Sequence, residues 1–260
     1  NQNRREVVLK LFRYQGQEKH VQSYIQREAI MSLKLADLDG VAKIYEAKWL
    51  PQNYGMYIVQ KFISSQNLHQ YIESRFAVPP LEALQIAIKL TWILQRIHDR
   101  GIIHCDVKPL NILIGEKDEP FLVDFGAARF LGEALDKKQV VVSVPYTGRE
   151  LTSGKPIDGR SDIYSLAMTL LHMLVGLPRW MTSPMRHVNS DTTLPRANPP
   201  SAMPPERVLK EYVKNSLFRI HSEELKACLE KALSPSPKNR FTDIEEFRKG
   251  LTDCYELIAA

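Results

Sequence analysis

No stretch of about twenty uninterrupted apolar residues occurs anywhere in the sequence, so no helical membrane span is expected. The opening residues, NQNRREVVLK, lack the apolar centre of a secretory leader. Cysteine is scarce: Cys105, Cys228 and Cys254 are odd in number and have no metal-ligand spacing. A disulfide framework and a zinc site are therefore not expected, and a reduced, cytoplasmic setting is the default. No long Lys/Arg run and no aromatic-basic interleaving are present, so the formal charge of +5 reads as a solvated mixed-charge surface rather than a nucleic-acid interface. Anionic partners such as nucleotide phosphates remain compatible with it. No internal repeat is visible. What is present is bulk: 260 residues that are 44% hydrophobic can bury one substantial core or two closely packed lobes.

The most informative stretch is HCDVKPLNIL (104–113) followed by FLVDFGAAR (121–129). Each half sets a polar cluster against an apolar run, so each is expected to be a strand end that releases its charges into a cleft. Asp106, Lys108, Asn111 and Asp124 bring two carboxylates, an ammonium and an amide into a short span. Carboxylate and carbonyl oxygens are hard ligands suited to Mg²⁺, and a lysine ammonium neutralises phosphoryl oxygens during transfer.

These residues at this spacing resemble the catalytic and metal-binding motifs of eukaryotic-like serine/threonine protein kinases. The resemblance implies an α+β, bilobal protein kinase-like fold with ATP and Mg²⁺ as cofactors and a protein Ser/Thr substrate. It implies a small β-rich N-lobe with one main helix over residues 1–63, a hinge at 61–63, and a larger, mainly helical C-lobe over 64–260. Asp106 matches the catalytic aspartate that takes the acceptor hydroxyl's proton. Lys108 matches the lysine that neutralises the γ-phosphate, at a position typical of serine/threonine specificity. Asn111 and Asp124 match the Mg²⁺ ligands. His104 and Phe125 are expected to fix the loop by packing.

The β-rich segment at 6–12 reads as a strand carrying Lys10, the lysine that in the resemblance contacts the α- and β-phosphates. From Glu18 to Leu35, Val21, Tyr24, Ile25, Glu28 and Ser32 recur at three- and four-residue spacing, which predicts a helix with Glu28 facing inward. An inward carboxylate needs a cation, and Lys10 is the natural one. Ser32 stands where the family usually has a large apolar residue. Gly40 precedes two strands, VAKIYEAKWL and GMYIVQKFI, separated by a turn. By resemblance Gln60 is the gatekeeper, and backbone groups of Lys61 and Ile63 hydrogen-bond adenine. The family's glycine-rich loop is missing, since no G-x-G occurs and only nine residues precede Lys10. Either the chain shown begins inside the domain, which the unpaired edge of a sheet missing two strands favours, or nucleotide is held without a lid; flanking domains or a regulatory partner are compatible with the first.

A short helix is expected over 67–74 and a long one over 81–99, with Pro79 and Pro80 before its start, His98 as a capping or packing residue, and Gly101 in C-cap position. The family usually has arginine before the catalytic aspartate, where an activation-segment phosphate neutralises it. Here that position is Cys105, and residues 127–142 contain no Ser, Thr or Tyr. Activity independent of phosphorylation in that stretch is the expectation. A redox role for Cys105 is the weaker reading, since most cysteines act as small hydrophobes.

Ser143 stands where a threonine usually meets the catalytic aspartate and lysine, Arg149 replaces a usual proline, and Glu150 is expected to pair with Arg240. Asp162 opens a helix apolar nearly all round and is expected to hold the catalytic-loop backbone. Residues 178–205 carry seven of the sixteen prolines and read as an extended surface loop, with helices expected at 206–218, 222–233 and 242–258. Two other readings compete with an active protein kinase. One is a pseudokinase serving as an interaction or allosteric module, and the other a small-molecule kinase of the aminoglycoside or choline type, which Lys108 and the 143–150 region oppose.

Overall fold

Alternation in VVLKLFR builds the first element: β1 (Val7–Arg13) turns Lys10 and Phe12 inward and leaves Val7, Leu9 and Leu11 exposed. The computed structural model describes residues 6–13, 19–51, 55–133, 143, 145–154, 156–176, 213–217 and 219–260. β1 pairs antiparallel with β3 (Gly55–Lys61), opposing Lys10 to Ile58, and β3 pairs with β2 (Ile44–Trp49) across a bulge near Glu46. Helix α1 (Lys19–Lys34) lays Ile25 and Ala29 against Phe12, Ile44, Met56 and Ile58. Its predicted periodicity therefore holds, and Glu28 and Ser32 are buried with it.

Between α1 and β2 the chain turns at Gly40, which adopts φ +82°; a β-carbon there would come within 2.5 Å of the Ile93 side chain. The turn is tied to the second half of the molecule. Leu122 N–H donates to Gly40 O (2.8 Å), and Ala42 N–H donates back to Leu122 O (3.2 Å). The strand that delivers Asp124 is thus fixed to the small sheet.

The larger part is mainly helical. A two-residue strand, β4 (Gln66–Asn67), precedes α2 (Leu68–Arg75), where Asn67 and Gln70 form a reciprocal capping box. Helix α3 runs Pro80–His98. Its start departs from the expectation, because Pro80 is the first helical residue and not a breaker before it; at that position the missing N–H costs nothing. Asp99, not Gly101, is the C-cap, and Gly101 at φ +67° closes the turn two residues later. Strands β5 (Ile102–Ile103), β6 (Ile112–Ile114), β7 (Pro120–Leu122) and β8 (Arg129–Phe130), together with β4, form two small sheets, β4-β6-β7 and β5-β8, that frame the loop at 104–111.

Helix α4 (Arg160–Val175) is buried on every side, as its sequence predicts. It packs with α3, α5 (Glu223–Ala232, capped by Ser222) and α6 (Ile244–Ala259, capped by Asp243) around one apolar core. The small sheet with one helix and the helical remainder make an α+β, two-lobed kinase fold. Of the expected 206–218 helix only 213–217 is described, and it is helical; the proline-rich 178–205 segment lies outside the described residues, as does 134–142. All three cysteines are free and buried, and among the described residues no helix is long and apolar enough to cross a membrane.

Burial of His172 in α4 has a consequence for acid stability. Its ring nitrogen Nδ1 sits 2.7 Å from the Tyr146 hydroxyl, and burial, with some help from His69, pushes its pKa down from the usual 6.5 to about 3. The unfolded chain then binds a proton that the folded chain refuses between those values. Stability is fully present above pH 6.5 and falls on acidification, by about 2 kcal/mol between pH 7 and pH 5. Urea denaturation is expected to show this slope in the native protein and a flatter curve in His172→Gln; identical slopes would contradict it.

Candidate active site

The loop after β5 is built from below. β5 brings in His104, which is fully buried with its ring 4.8 Å from that of Phe125, so both pack as expected. His104 Nδ1 accepts from the Asp106 N–H at 3.3 Å, which occupies the lone pair a base would need. Cys105 follows at φ +65°, and Asp162 from the first turn of α4 holds this bent backbone by accepting the N–H groups of His104 (2.9 Å) and Cys105 (2.8 Å). Burial alone would raise the Asp162 carboxyl; the His98 hydrogen bond, with His104, outweighs it and holds the group below the usual range. His98 Nε2 lies 2.8 Å from Asp162 Oδ2, so its role exceeds the capping or packing read from the sequence.

Asp106, Lys108, Asn111 and Ser143 form one network. Lys108 Nζ donates to Asp106 Oδ2 at 2.7 Å and to Ser143 Oγ at 2.8 Å, and Asn111 Nδ2 donates to the same carboxylate oxygen at 2.8 Å and to Asp106 O at 3.0 Å. Asp106 Oδ1 is left buried with no hydrogen-bond partner. A buried carboxylate oxygen without a donor is costly unless a ligand supplies one. The arrangement therefore presents one acceptor to an incoming hydroxyl while its twin is held by a cation and an amide.

Above this network, Lys10 Nζ meets Glu28 Oε1 at 2.6 Å, the pairing expected from the sequence. Burial raises the Glu28 carboxyl more than the Lys10 charge lowers it, so this lysine is what allows the carboxylate to stay inside. One turn earlier on α1, Tyr24 donates its hydroxyl to Asp124 Oδ1 at 2.9 Å. Burial first, then the Asp124 charge, hold this phenol far above its usual pKa, so it remains a donor. Gly126 makes the approach feasible, because a β-carbon there would fall 2.1 Å from the Tyr24 ring. Sequence reasoning put Tyr24 on the inward stripe but missed its partner one hundred positions away.

Do these residues fit a divalent ion and a polyphosphate? Asn111 spends its amide nitrogen on Asp106, which leaves its carbonyl oxygen as a hard ligand, and Asp124 keeps its second carboxylate oxygen. Among the described residues no group of three His, Cys, Asp or Glu side chains gathers to cage an ion by itself. The Asn111 and Asp124 oxygens fit Mg²⁺, which is held by one or two protein oxygens together with phosphate and water rather than by an all-protein cage. Asp124 adopts φ +67°, a left-handed backbone that turns it out of the strand after β7.

At the end of β3, Gln60 is buried. The expectation for Lys61 is narrowed: its N–H is spent inside the sheet on Lys43 O (2.8 Å), so only its carbonyl is left for a base edge. Ile63 O accepts the Ser65 hydroxyl at 2.9 Å. Below the cleft, Glu150 and Arg240 pair as expected, at 2.7 and 3.0 Å. Cys105 does not have the character of a redox-sensitive thiol: it is buried, burial and then the Asp162 charge push its pKa well up, and its Sγ–H points at Ile103 O.

A two-lobed fold with a lysine-glutamate pair over an Asp-Lys-Asn-Asp cluster is the arrangement of a protein kinase domain. The protein kinase domain family matches residues 1–252, and the chain belongs to that family. Its relatives include the serine/threonine-protein kinase PknB of Mycobacterium leprae, 31% identical over 203 residues that make up 75% of this chain and 30% of that protein. PknB of Mycolicibacterium smegmatis is 31% identical over 212 residues (77% and 30%), and the probable serine/threonine-protein kinase PknB of Corynebacterium glutamicum 31% over 202 residues (74% and 31%). The chain spans under a third of the length of these curated relatives.

Proposed function

We propose that this chain transfers the γ-phosphoryl group of ATP to serine or threonine hydroxyls of a protein. Asp106 accepts the proton of the attacking hydroxyl, Lys108 neutralises charge on the transferred group, and Lys10, positioned by Glu28, holds the α- and β-phosphates. Asn111 and Asp124 hold Mg²⁺, whose chemistry when bound is to neutralise the polyphosphate. The Lys61 carbonyl and the Ile63 backbone meet adenine. The observation that carries this reading is the buried, unpartnered Asp106 Oδ1 beside a lysine and an amide.

The reading includes independence from phosphorylation of the 127–142 stretch, which has no hydroxyl to modify and no arginine before Asp106 to receive a phosphate. Protein produced without any other kinase and treated with phosphatase is expected to label a generic basic substrate from γ-labelled ATP at the untreated rate. Loss of the rate on phosphatase treatment would contradict this.

One observation favours a second reading, a catalytically silent module that senses nucleotide: the Tyr24 hydroxyl already occupies an oxygen of Asp124. The same assay separates the two, since such a module would bind ATP and transfer nothing.

A further inference from the structure

Three charges converge beside α1. Arg27 Nη1 donates to both carboxylate oxygens of Glu133, at 3.1 Å each. The Phe130 N–H donates to Oε2 at 3.1 Å, and Arg129 Nε lies 3.9 Å from Oε1. Arg129 is buried, with its guanidinium anchored on the carbonyls of Ala127 and Ala128 at 2.8 and 2.9 Å. Two guanidinium groups, one on α1 and one directly after the Asp124-Phe125-Gly126 turn, therefore face one carboxylate. Burial and the nearby Arg27 charge both disfavour the charged form of Arg129, and Glu133 opposes that effect.

The geometry points to Glu133 as a built-in anion that does what a phosphate on this segment would otherwise do: it binds the segment after Asp124 to α1 and so keeps α1 docked. Arg27 and Glu28 are neighbours on that helix. With Arg27 held outward to Glu133 and Glu28 held inward to Lys10, the rotation of α1 is fixed from both sides. Without the carboxylate, Arg27 and the buried Arg129 repel each other and the helix loses its outer tether. Glu133 is thus a positioning residue, acting on the phosphates only through Arg27, α1 and the Glu28–Lys10 pair. This assignment rests on the kinase reading for its catalytic consequence but not for its structural one.

The test uses the full chain as wild type, Glu133→Gln, Arg27→Gln and the double variant, with two readouts. Amide hydrogen exchange over residues 24–34 is expected to quicken about tenfold in each single variant, and no further in the double. The rate of transfer at limiting ATP is expected to fall about tenfold in parallel, with most of the loss in KM for ATP. Both readouts within twofold of wild type in either single variant, or effects that multiply in the double, would overturn the assignment. If wild type transfers no phosphate, the exchange result still decides the role of Glu133, and it is the kinase reading that fails. Glu133→Asp, which keeps the charge one methylene shorter, should lose less than Glu133→Gln; equal losses would count against an electrostatic role.

Discussion

Asp106→Asn is expected to abolish phosphoryl transfer, lowering kcat by a factor of about 10³ or more while leaving KM for ATP and the thermal midpoint close to wild type. The reason lies in how the two carboxylate oxygens are used. Oδ2 is held by Lys108 and Asn111, and Oδ1 has no protein partner. An asparagine keeps its carbonyl oxygen where Oδ2 was, satisfying both donors, and so presents its NH₂ where Oδ1 was. That position then offers a donor to a hydroxyl that must give up a proton. Fold and nucleotide site survive, and the proton acceptor does not. Steady-state kinetics with a labelled γ-phosphate check this. A variant that keeps a tenth or more of the wild-type kcat would remove Asp106 from the chemistry.

The second large effect is on stability. Arg240 has a fully buried side chain that bridges Glu150 to the start of α4: its guanidinium donates to both Glu150 oxygens, to Arg160 O at 2.8 Å and to Ser234 O at 2.8 Å, and it stacks over the Tyr164 ring at 4.8 Å. Replacing it with leucine strips the Glu150 carboxylate of both Arg240 hydrogen bonds and Ser234 O of its Arg240 donor, in a site water barely reaches. Breaking one partner of such a pair costs about 3–5 kcal/mol. For a domain of this size that lowers Tm by about 10 °C. Removing the second charge as well, in Arg240→Leu with Glu150→Leu, is expected to recover part of the loss, because the stranded charge dominates the penalty. A thermal scan showing Arg240→Leu within 2 °C of wild type would assign the pair no structural weight.

Much of this was legible in the sequence, and the reason differs from element to element. Asp106, Lys108, Asn111 and Asp124 lie within nineteen consecutive residues, so local spacing alone exposes them. Glu28 was legible because a carboxylate on the apolar stripe of α1 demands a cation, and Lys10 was the nearest strand residue able to supply one. Helix α4 was legible because its apolar residues leave no polar face. What escaped were partners chosen by tertiary approach. Tyr24 reads as one more stripe residue until α1 is laid against the turn at Gly126. His98 reads as a helix-end histidine until α4 brings Asp162 beneath it. Glu133 reads as a loop charge, and only the convergence of Arg27 and Arg129 gives it a role. For a related reason the sequence does not say which backbone group of Lys61 is left over: that its N–H is spent on Lys43 O emerges only when the strands are paired. Hydrogen bonds between residues so far apart leave no periodic trace in the chain.

The central claim is that Lys10, Glu28 and the Asp106–Asp124 cluster form one site for ATP and Mg²⁺. Its most direct test is the thermal midpoint of the wild-type chain, of Lys10→Met and of Asp124→Asn, each with ATP in the presence and absence of Mg²⁺. At ATP near one hundred times its Kd, binding stabilises by about 2.7 kcal/mol, or a rise of about 5–10 °C in Tm. The account predicts that rise in wild type only when Mg²⁺ is present, and its loss in both variants. A wild-type midpoint that ATP and Mg²⁺ leave unmoved, or a rise that survives either substitution, would contradict it.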